Sequence, residues 1–150
     1  MKDAIRAVAN RELVLLREEE RNEMNAEEEV LDITRRMLNA MYTSDPAVHR
    51  QHCAEDMSSV EWYIAPYRID GAEFHLGLIE AGGNSPVKRF DMLTPRVQVY
   101  GDTAIVNYTL LKTIAKPDAD AAFSRINETR VFVKIDGVWK MVHLHKSPAG

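Results

Sequence analysis

The chain has 150 residues, 45% of them hydrophobic and 28% charged, with a formal net charge of −4. This is one ordinary domain, long enough to bury a core without staples. The composition excludes a basic nucleic-acid footprint and any apolar run that would span a membrane.

The front of the chain reads as helices. From Met1 to Met24 the pattern is helical, with apolar Ile5, Val8, Leu13, Leu15 and Leu16. Arg6, Asn10, Arg11 and Glu12 interrupt that stretch, so no signal peptide is expected. The charge run Arg17 to Arg21 reads as a solvated helical face. Asn22 to Asn25 admits either a break or a continuation. Val30, Ile33, Thr34, Met37, Leu38 and Met41 then recur at three- and four-residue steps, predicting a second amphipathic helix. In Ser44-Asp45-Pro46, Ser44 or Asp45 is expected to cap a short helix running to about Cys53, with Pro46 in its first turn. Ser59 to Tyr63 reads as a short strand. Asp70 is expected to cap a third helix from Gly71, anchored by Phe74 and Leu78 with Ile79, and stopped by Gly82-Gly83. Cys53 is the lone cysteine, which leaves no internal disulfide and no cysteine pair for a metal, so a reducing, cytoplasmic setting is expected.

After Pro86 the period changes to two. Val97 and Val99 lead through Tyr100 to a turn at Gly101-Asp102. Ala104, Val106 and Tyr108 then alternate with Ile105, Asn107 and Thr109. A third strand is expected over Arg125 to Ile135, a hairpin turn at Asp136-Gly137, and a last strand over Val138 to Lys146. Helices first and strands afterwards point to an α+β fold. Both faces of the last two strands carry apolar residues, so one face calls for a second cover, and a partner subunit is the simplest one.

Three motifs carry a resemblance. Glu128-Thr129-Arg130-Val131, Asp136-Gly137 with Trp139, and Val142-His143-Leu144-His145-Lys146-Ser147 form the first. Gly71-Ala72-Glu73-Phe74-His75 is the second, and Leu93-Thr94-Pro95 followed by Gly101-Asp102 is the third. Together they resemble the association (hub) domain of calcium/calmodulin-dependent protein kinase II, over about Glu28 to Pro148. The resemblance implies a nuclear transport factor 2-like cone, with helices packed on a strongly curved antiparallel sheet. It divides the chain into an N-terminal helical extension, 1–27, and the cone, 28–150. It also implies homo-oligomerisation, as a dimer or a ring of dimers, and a stand-alone relative without kinase activity or calmodulin binding.

The family's pocket holds one histidine and three arginines able to receive a small carboxylate. His75 matches the histidine and Arg130 one arginine. Lys146 stands in place of a second, and the third falls at Leu110. Lysine is a point charge rather than a two-toothed fork, so a weaker anion site is expected. Glu61 and Tyr108 complete the expected ligand-binding set, with Trp62 and Tyr63 as its wall or mouth. No catalytic residue, metal or cofactor is assigned under this reading.

Each residue has a plainer reading as well. Arg130 in a strand could be exposed or paired with Glu128; buried, it needs an anion, for which Glu61 is a candidate. His75 could be a satisfied core histidine, and Lys146 could face solvent. His143 and His145 sit on one strand face, and two nitrogens without a third ligand are better placed at a subunit interface than on a metal. The hairpin adds a test. A plain two-residue turn at Asp136-Gly137 sets Arg130 opposite His143, whereas a three-residue loop with a bulge brings Arg130 and Lys146 onto one face. The family pocket needs the second arrangement, and the sequence leaves both open.

A competing function is an enzyme of the ketosteroid isomerase or SnoaL cyclase type. It would use His75, Glu61, Glu128 or Tyr108 around a general base on an apolar substrate. A third reading is a partner protein docked through the acidic front helix.

Overall fold

The structure is a computed structural model that describes residues 2–82 and 87–150. Helix α1 spans Lys2–Thr43, so the helix continues through Asn22 to Asn25 without a break. Val30, Ile33, Thr34, Met37 and Leu38 are buried, as the periodicity predicts, whereas residues 5–20 are exposed throughout. The helix ends at Ser44, whose φ of 55° is left-handed, and the Asp45 N–H donates to the Ala40 carbonyl at 3.0 Å. This is the Schellman closure, made here without glycine.

Helix α2, Ala47–His52, follows at once. Neither Ser44 nor Asp45 is its cap, although Asp45 Oδ1, one residue before the cap, accepts from the Ala47 N–H at 3.0 Å. Pro46 sits at the cap position rather than inside the first turn. Strand β1 is Cys53–Glu61, longer than expected and ending two residues earlier, at Glu61 rather than Tyr63. Strand β2, Ile69–Asp70, pairs with it.

Helix α3, Ala72–Ala81, corrects two expectations. Its cap is Gly71, and Asp70 instead holds the Arg68 guanidinium through two hydrogen bonds. Its buried residues are Ala72, His75, Leu76 and Ile79, while Phe74 and Leu78 are 46% and 41% exposed. The apolar residues of this short helix circle it, so composition does not say which side faces inward. Gly82 ends the helix, and Gly83 and Pro86 lie outside the described residues.

Four long strands follow, as the alternation predicts, each reaching beyond its expected bounds. They are β3 Val87–Tyr100, β4 Thr103–Ile114, β5 Ala122–Ile135 and β6 Val138–Pro148. The sheet order is β2-β1-β6-β5-β4-β3, with β1 parallel to β6 and the other pairs antiparallel. Pro95 is tolerated inside β3 because the ladder slips there, between Leu93 and Arg96, next to a left-handed Thr94 with φ 47°.

The hairpin answers the register question in a third way. The turn is the plain two-residue kind, with Asp136 at φ 51° and Gly137 at φ 77°, and Ile135 faces Val138. The register shift lies further along the ladder. Phe132 pairs with Met141 but Val131 pairs with His143, so Val142 is the extra residue. Arg130 therefore faces Leu144, and Arg130 and Lys146 share a face without a bulged loop. The same shift sends Trp139, Met141, Leu144 and Phe132 into the core.

That core lies between α1 and one face of the sheet. It joins Val30, Ile33, Met37 and Leu38 to Ala104, Val106, Leu110, Phe132, Met141 and Leu144. Burying an aliphatic or phenyl side chain of this kind contributes about 1.5–3 kcal/mol.

Candidate functional site

One rung of the sheet carries the site. Glu61 on β1 pairs with Lys146 on β6, Lys146 with Glu128 on β5, and Glu128 with Tyr108 on β4. Four strands thus set a carboxylate, an ammonium, a carboxylate and a phenol side by side on the inner face. All four residues are buried. Arg130 lies one inward position further along β5 and is also fully buried.

The contacts follow the rung. Lys146 Nζ lies 2.8 Å from Glu61 Oε2 and 3.8 Å from Glu128 Oε1, and it donates to the Tyr63 hydroxyl at 3.0 Å. Arg130 donates from Nε to the Tyr108 hydroxyl at 2.8 Å and from Nη2 to Glu128 Oε2 at 3.1 Å. Tyr108 in turn donates to Glu128 Oε2. The remaining side of Arg130 is soft, with Nη1 facing the sulfurs of Met141 and Met37 at 3.7 and 4.0 Å. Two cations and two anions therefore neutralise each other within the cluster, as burial demands.

Two helices close it. His75 of α3 sets Nδ1 3.7 Å from Glu61 Oε1, too long for a hydrogen bond. His49 of α2 packs its ring 5.4 Å from that of His75. Helix α2 is held there by His52 Nδ1 at 2.8 Å from the Trp139 carbonyl oxygen, by Lys140 Nζ donating to the Gln51 carbonyl at 2.8 Å, and by an Arg50–Glu80 ion pair to α3.

The electrostatics follow from burial and neighbours. Burial works against ionisation of Glu61, but His75 and the Lys146 ammonium hold it below the usual carboxylate range. Glu128 is likewise held down, with Lys146 and Arg130 overcoming its desolvation. Burial opposes the charge on Lys146, yet Glu128 and Glu61 keep its pKa raised. Burial pushes His49 down to about 3, and the cations Arg130 and Lys146 add to the effect along with the His75 ring.

The expected residues fare unevenly. Arg130, Lys146, Glu61, His75 and Tyr108 come together. Arg130 is buried, but its anion is Glu128 rather than Glu61, which serves Lys146 instead. Lys146 does not face solvent. Tyr63, 51% exposed, sits at the edge, its hydroxyl donating to Glu61 Oε2 at 3.1 Å while receiving Lys146. Trp62, also exposed, lies edge-on to Tyr63 with ring centroids 4.9 Å apart. His143 and His145 lie on the opposite face of the sheet, with His143 Nδ1 2.8 Å from Ser58 Oγ. Among the described residues no group of three or more His, Cys, Asp or Glu side chains could hold a metal.

Sequence reasoning missed Lys112, Tyr42 and His49. Lys112 follows Leu110 by two positions on β4, so strand parity alone places it on the inner face. Its half-buried ammonium is pushed down by desolvation and by Lys146. Tyr42 comes off α1 and is raised by burial and by Glu128. His49 carries no such signal, because its contact with His75 joins two separate helices.

Residues 26–150 match the family model described as calcium/calmodulin dependent protein kinase II association domain. A calcium/calmodulin-dependent protein kinase type II of Caenorhabditis briggsae is 28% identical over 127 residues, or 84% of this chain. The chain spans 24% of the length of that kinase. The association domain of the C. elegans kinase superposes with a TM-score of 0.76 at 28% identity, covering 84% of this chain and 98% of that one. A putative dehydratase of the NTF2-like family from Streptomyces avermitilis shares the fold, with a TM-score of 0.70 at 19% identity over 85% of this chain and 98% of its own. The α+β fold is thus the NTF2-like one, with a sheet left open between edge strands β2 and β3.

Proposed function

Since this chain belongs to the calcium/calmodulin dependent protein kinase II association domain family, we propose that it is an assembly module whose copies pair, as dimers or rings of dimers, through the outer face of the sheet. The observation that carries this reading is the composition of that face. Helix α1 packs on the face bearing Ala104, Val106, Leu110 and Phe132. The alternate positions Ile105, Leu111, Val131 and Val133 turn the other way and are half-buried. Hydrogen bonds from Asn107 Nδ2 to Thr129 Oγ1 (2.7 Å) and from Thr109 Oγ1 to Asn127 Oδ1 (2.8 Å) order the polar residues among them. An aliphatic patch whose neighbouring Asn107, Thr129, Thr109 and Asn127 are already paired with each other suits a second copy.

Light scattering on the pure protein tests this. An oligomer is expected for the wild type, and Val131→Lys, which sets a charge in the patch, is expected to weaken association at least tenfold. A wild-type monomer at high micromolar concentration would remove the reading.

The inner cluster is the receiving site for a small carboxylate. Tyr63 covers the Lys146 ammonium from an exposed position, so a turn of that side chain uncovers a cation. Glu61 and Glu128 already neutralise the two cations, so an incoming carboxylate competes with resident ones and binds weakly. Lys112 supplies a third positive charge on the same face, where the family's arginine is replaced by Leu110. At tenfold excess over Kd, such a ligand adds about 1.4 kcal/mol of stability, a rise of roughly 3–6 °C in Tm. Acetate and its short homologues are expected to raise Tm in the wild type and not in Lys146→Gln. No rise in the wild type would count against ligand capture and leave assembly untouched. The isomerase-type alternative calls for a carboxyl whose pKa is raised by an apolar site, and the two buried carboxyls of the cluster are held down instead.

A further inference from the structure

The inner face carries one more cation than its carboxylates match. Lys146 lies against Glu61 and Glu128, and Arg130 holds Glu128 and Tyr108. Lys112 is left over. It makes no hydrogen bond or ion pair with a described residue. Other lysines are engaged: Lys140 donates to the Gln51 carbonyl, and Lys134 lies over the Trp139 ring, 5.6 Å from its centroid.

Position explains the difference. Lys112 faces Phe90 on β3 and Ser124 on β5. Strand β6 ends at Pro148, opposite Ile126, one inward position short of Ser124. The sheet is one strand narrower there, so Lys112 stands half-buried at the open end of the inner face. Phe90 packs against the core, and its ring centroid lies 5.6 Å from that of Tyr42. The amine therefore has an aromatic wall beside it and the charged cluster behind it.

An amine attacks carbon only when it has lost its extra proton. Lys146 cannot serve, because Glu128 and Glu61 keep it charged. Lys112 has the opposite setting. Desolvation and the like charge of Lys146 push its pKa down, against a pull from Glu128. A lysine desolvated beside a second cation is activated toward carbonyl groups. A molecule that reaches Lys112 also lies in the field of Lys146, which favours a carboxylate on its inward side.

We infer that Lys112 is a covalent capture site for a small oxo acid whose carbonyl adjoins its carboxylate, the amine condensing with the carbonyl while the carboxylate turns toward Lys146. The inference rests on the carboxylate-receiving reading of the inner cluster. The Lys112 nitrogen bonds to the carbonyl carbon and passes a proton to the carbonyl oxygen. The carbinolamine then expels that oxygen as water and leaves a C=N bond. Both hydrogens of the water come from the amine, and nothing is oxidised or reduced.

Reductive trapping tests this on the full chain. The protein is incubated near neutral pH with glyoxylate or with acetaldehyde, in the presence of cyanoborohydride. The reagent delivers hydride to the C=N carbon and fixes the adduct as a secondary amine, which peptide mass mapping locates. With glyoxylate, occupancy at Lys112 is expected to be several-fold higher than at the exposed Lys116 and Lys134. The ratio of glyoxylate to acetaldehyde adduct is expected to be several-fold higher at Lys112 than at Lys116. Lys112→Arg keeps the charge but cannot condense, and is expected to lose this adduct while the other lysines still react. Uniform labelling of the lysines would overturn the inference, and so would a Lys112 adduct with no preference for glyoxylate. The Tm rise with acetate needs no amine chemistry, so it separates the two readings. Failed trapping with the acetate effect intact sinks covalent capture alone, and loss of both sinks the receiving site as well.

Discussion

Replacing Arg130 with methionine is expected to destabilise the protein by about 3–5 kcal/mol, the usual effect of removing one partner from a buried ion pair. Arg130 is the fully buried cation that serves both Glu128 and Tyr108. Methionine fills much of the same volume and suits the neighbouring sulfurs of Met37 and Met141. The loss therefore reports on charge rather than on a cavity. In the variant, Glu128 keeps Lys146, but only at 3.8 Å, and one of its oxygens already lacks a hydrogen-bond partner in the wild type. Tyr108 loses its donor as well. At constant protein concentration, urea denaturation and Tm measure the change; a loss of this size moves Tm by roughly 10 °C. The control is Arg130→Met with Glu128→Leu, which removes both charges together. That double variant is expected to recover most of the loss, because an apolar replacement of a buried pair is often neutral. A single variant that loses under 1 kcal/mol, or a double that recovers nothing, would contradict the account of the cluster.

Stability is also expected to fall by about 2 kcal/mol between pH 7 and pH 5, and His49 is the source. Its ring is fully buried on α2, neither nitrogen has a hydrogen-bond partner among the described residues, and Arg130 and Lys146 add their opposing charge to the effect of burial. Its pKa is lowered from 6.5 to about 3. A depressed folded pKa means that the unfolded chain binds the proton first as pH falls. The contribution is therefore complete above pH 6.5 and is lost progressively as pH drops toward 3. At pH 5 the unfolded state has gained 1.5 pH units of protonation, which sets the figure given above. The depressed carboxyls of Glu61 and Glu128 act in the same direction, but only below the ordinary carboxylate range near 4.5. His143, lowered by burial and by His145, adds a smaller part in the upper window. Urea midpoints of the wild type and His49→Leu across pH 5–7.5 check the assignment. The slope is expected to flatten in the variant, and an unchanged slope would place the acid sensitivity elsewhere.

Both predictions rest on the same arrangement. A neutralised rung of charge inside a small α+β domain is stable only while every member stays paired. The rung also explains why a lysine serves at position 146. It lies between two carboxylates on neighbouring strands, at hydrogen-bonding distance from Glu61 at 2.8 Å and within charge contact of Glu128 at 3.8 Å, so its compact ammonium acts on both.

Much of this was legible in the residues. Period-two alternation marked the long strands, and Val30 to Met41 marked the helix that covers them. Asp136-Gly137 marked the hairpin, and the Glu-Thr-Arg-Val and His-Leu-His-Lys segments marked the family. Those are local or motif signals, complete within a few positions. What the chain alone left open was the inner face of β6. One extra residue at Val142 reverses every side chain after it, bringing Lys146 to Glu61 and Glu128 and sending His145 outward. No turn signal marks that position: the shift lies inside the ladder, between Val131 and Phe132, where apolar residues on both faces of the strands leave either register open in the sequence. For the same reason the partner of Arg130, the inward side of α3 and the meeting of His49 with His75 had to wait for the tertiary structure. Each is a choice among faces that periodicity leaves equivalent, and only packing against other elements removes the tie.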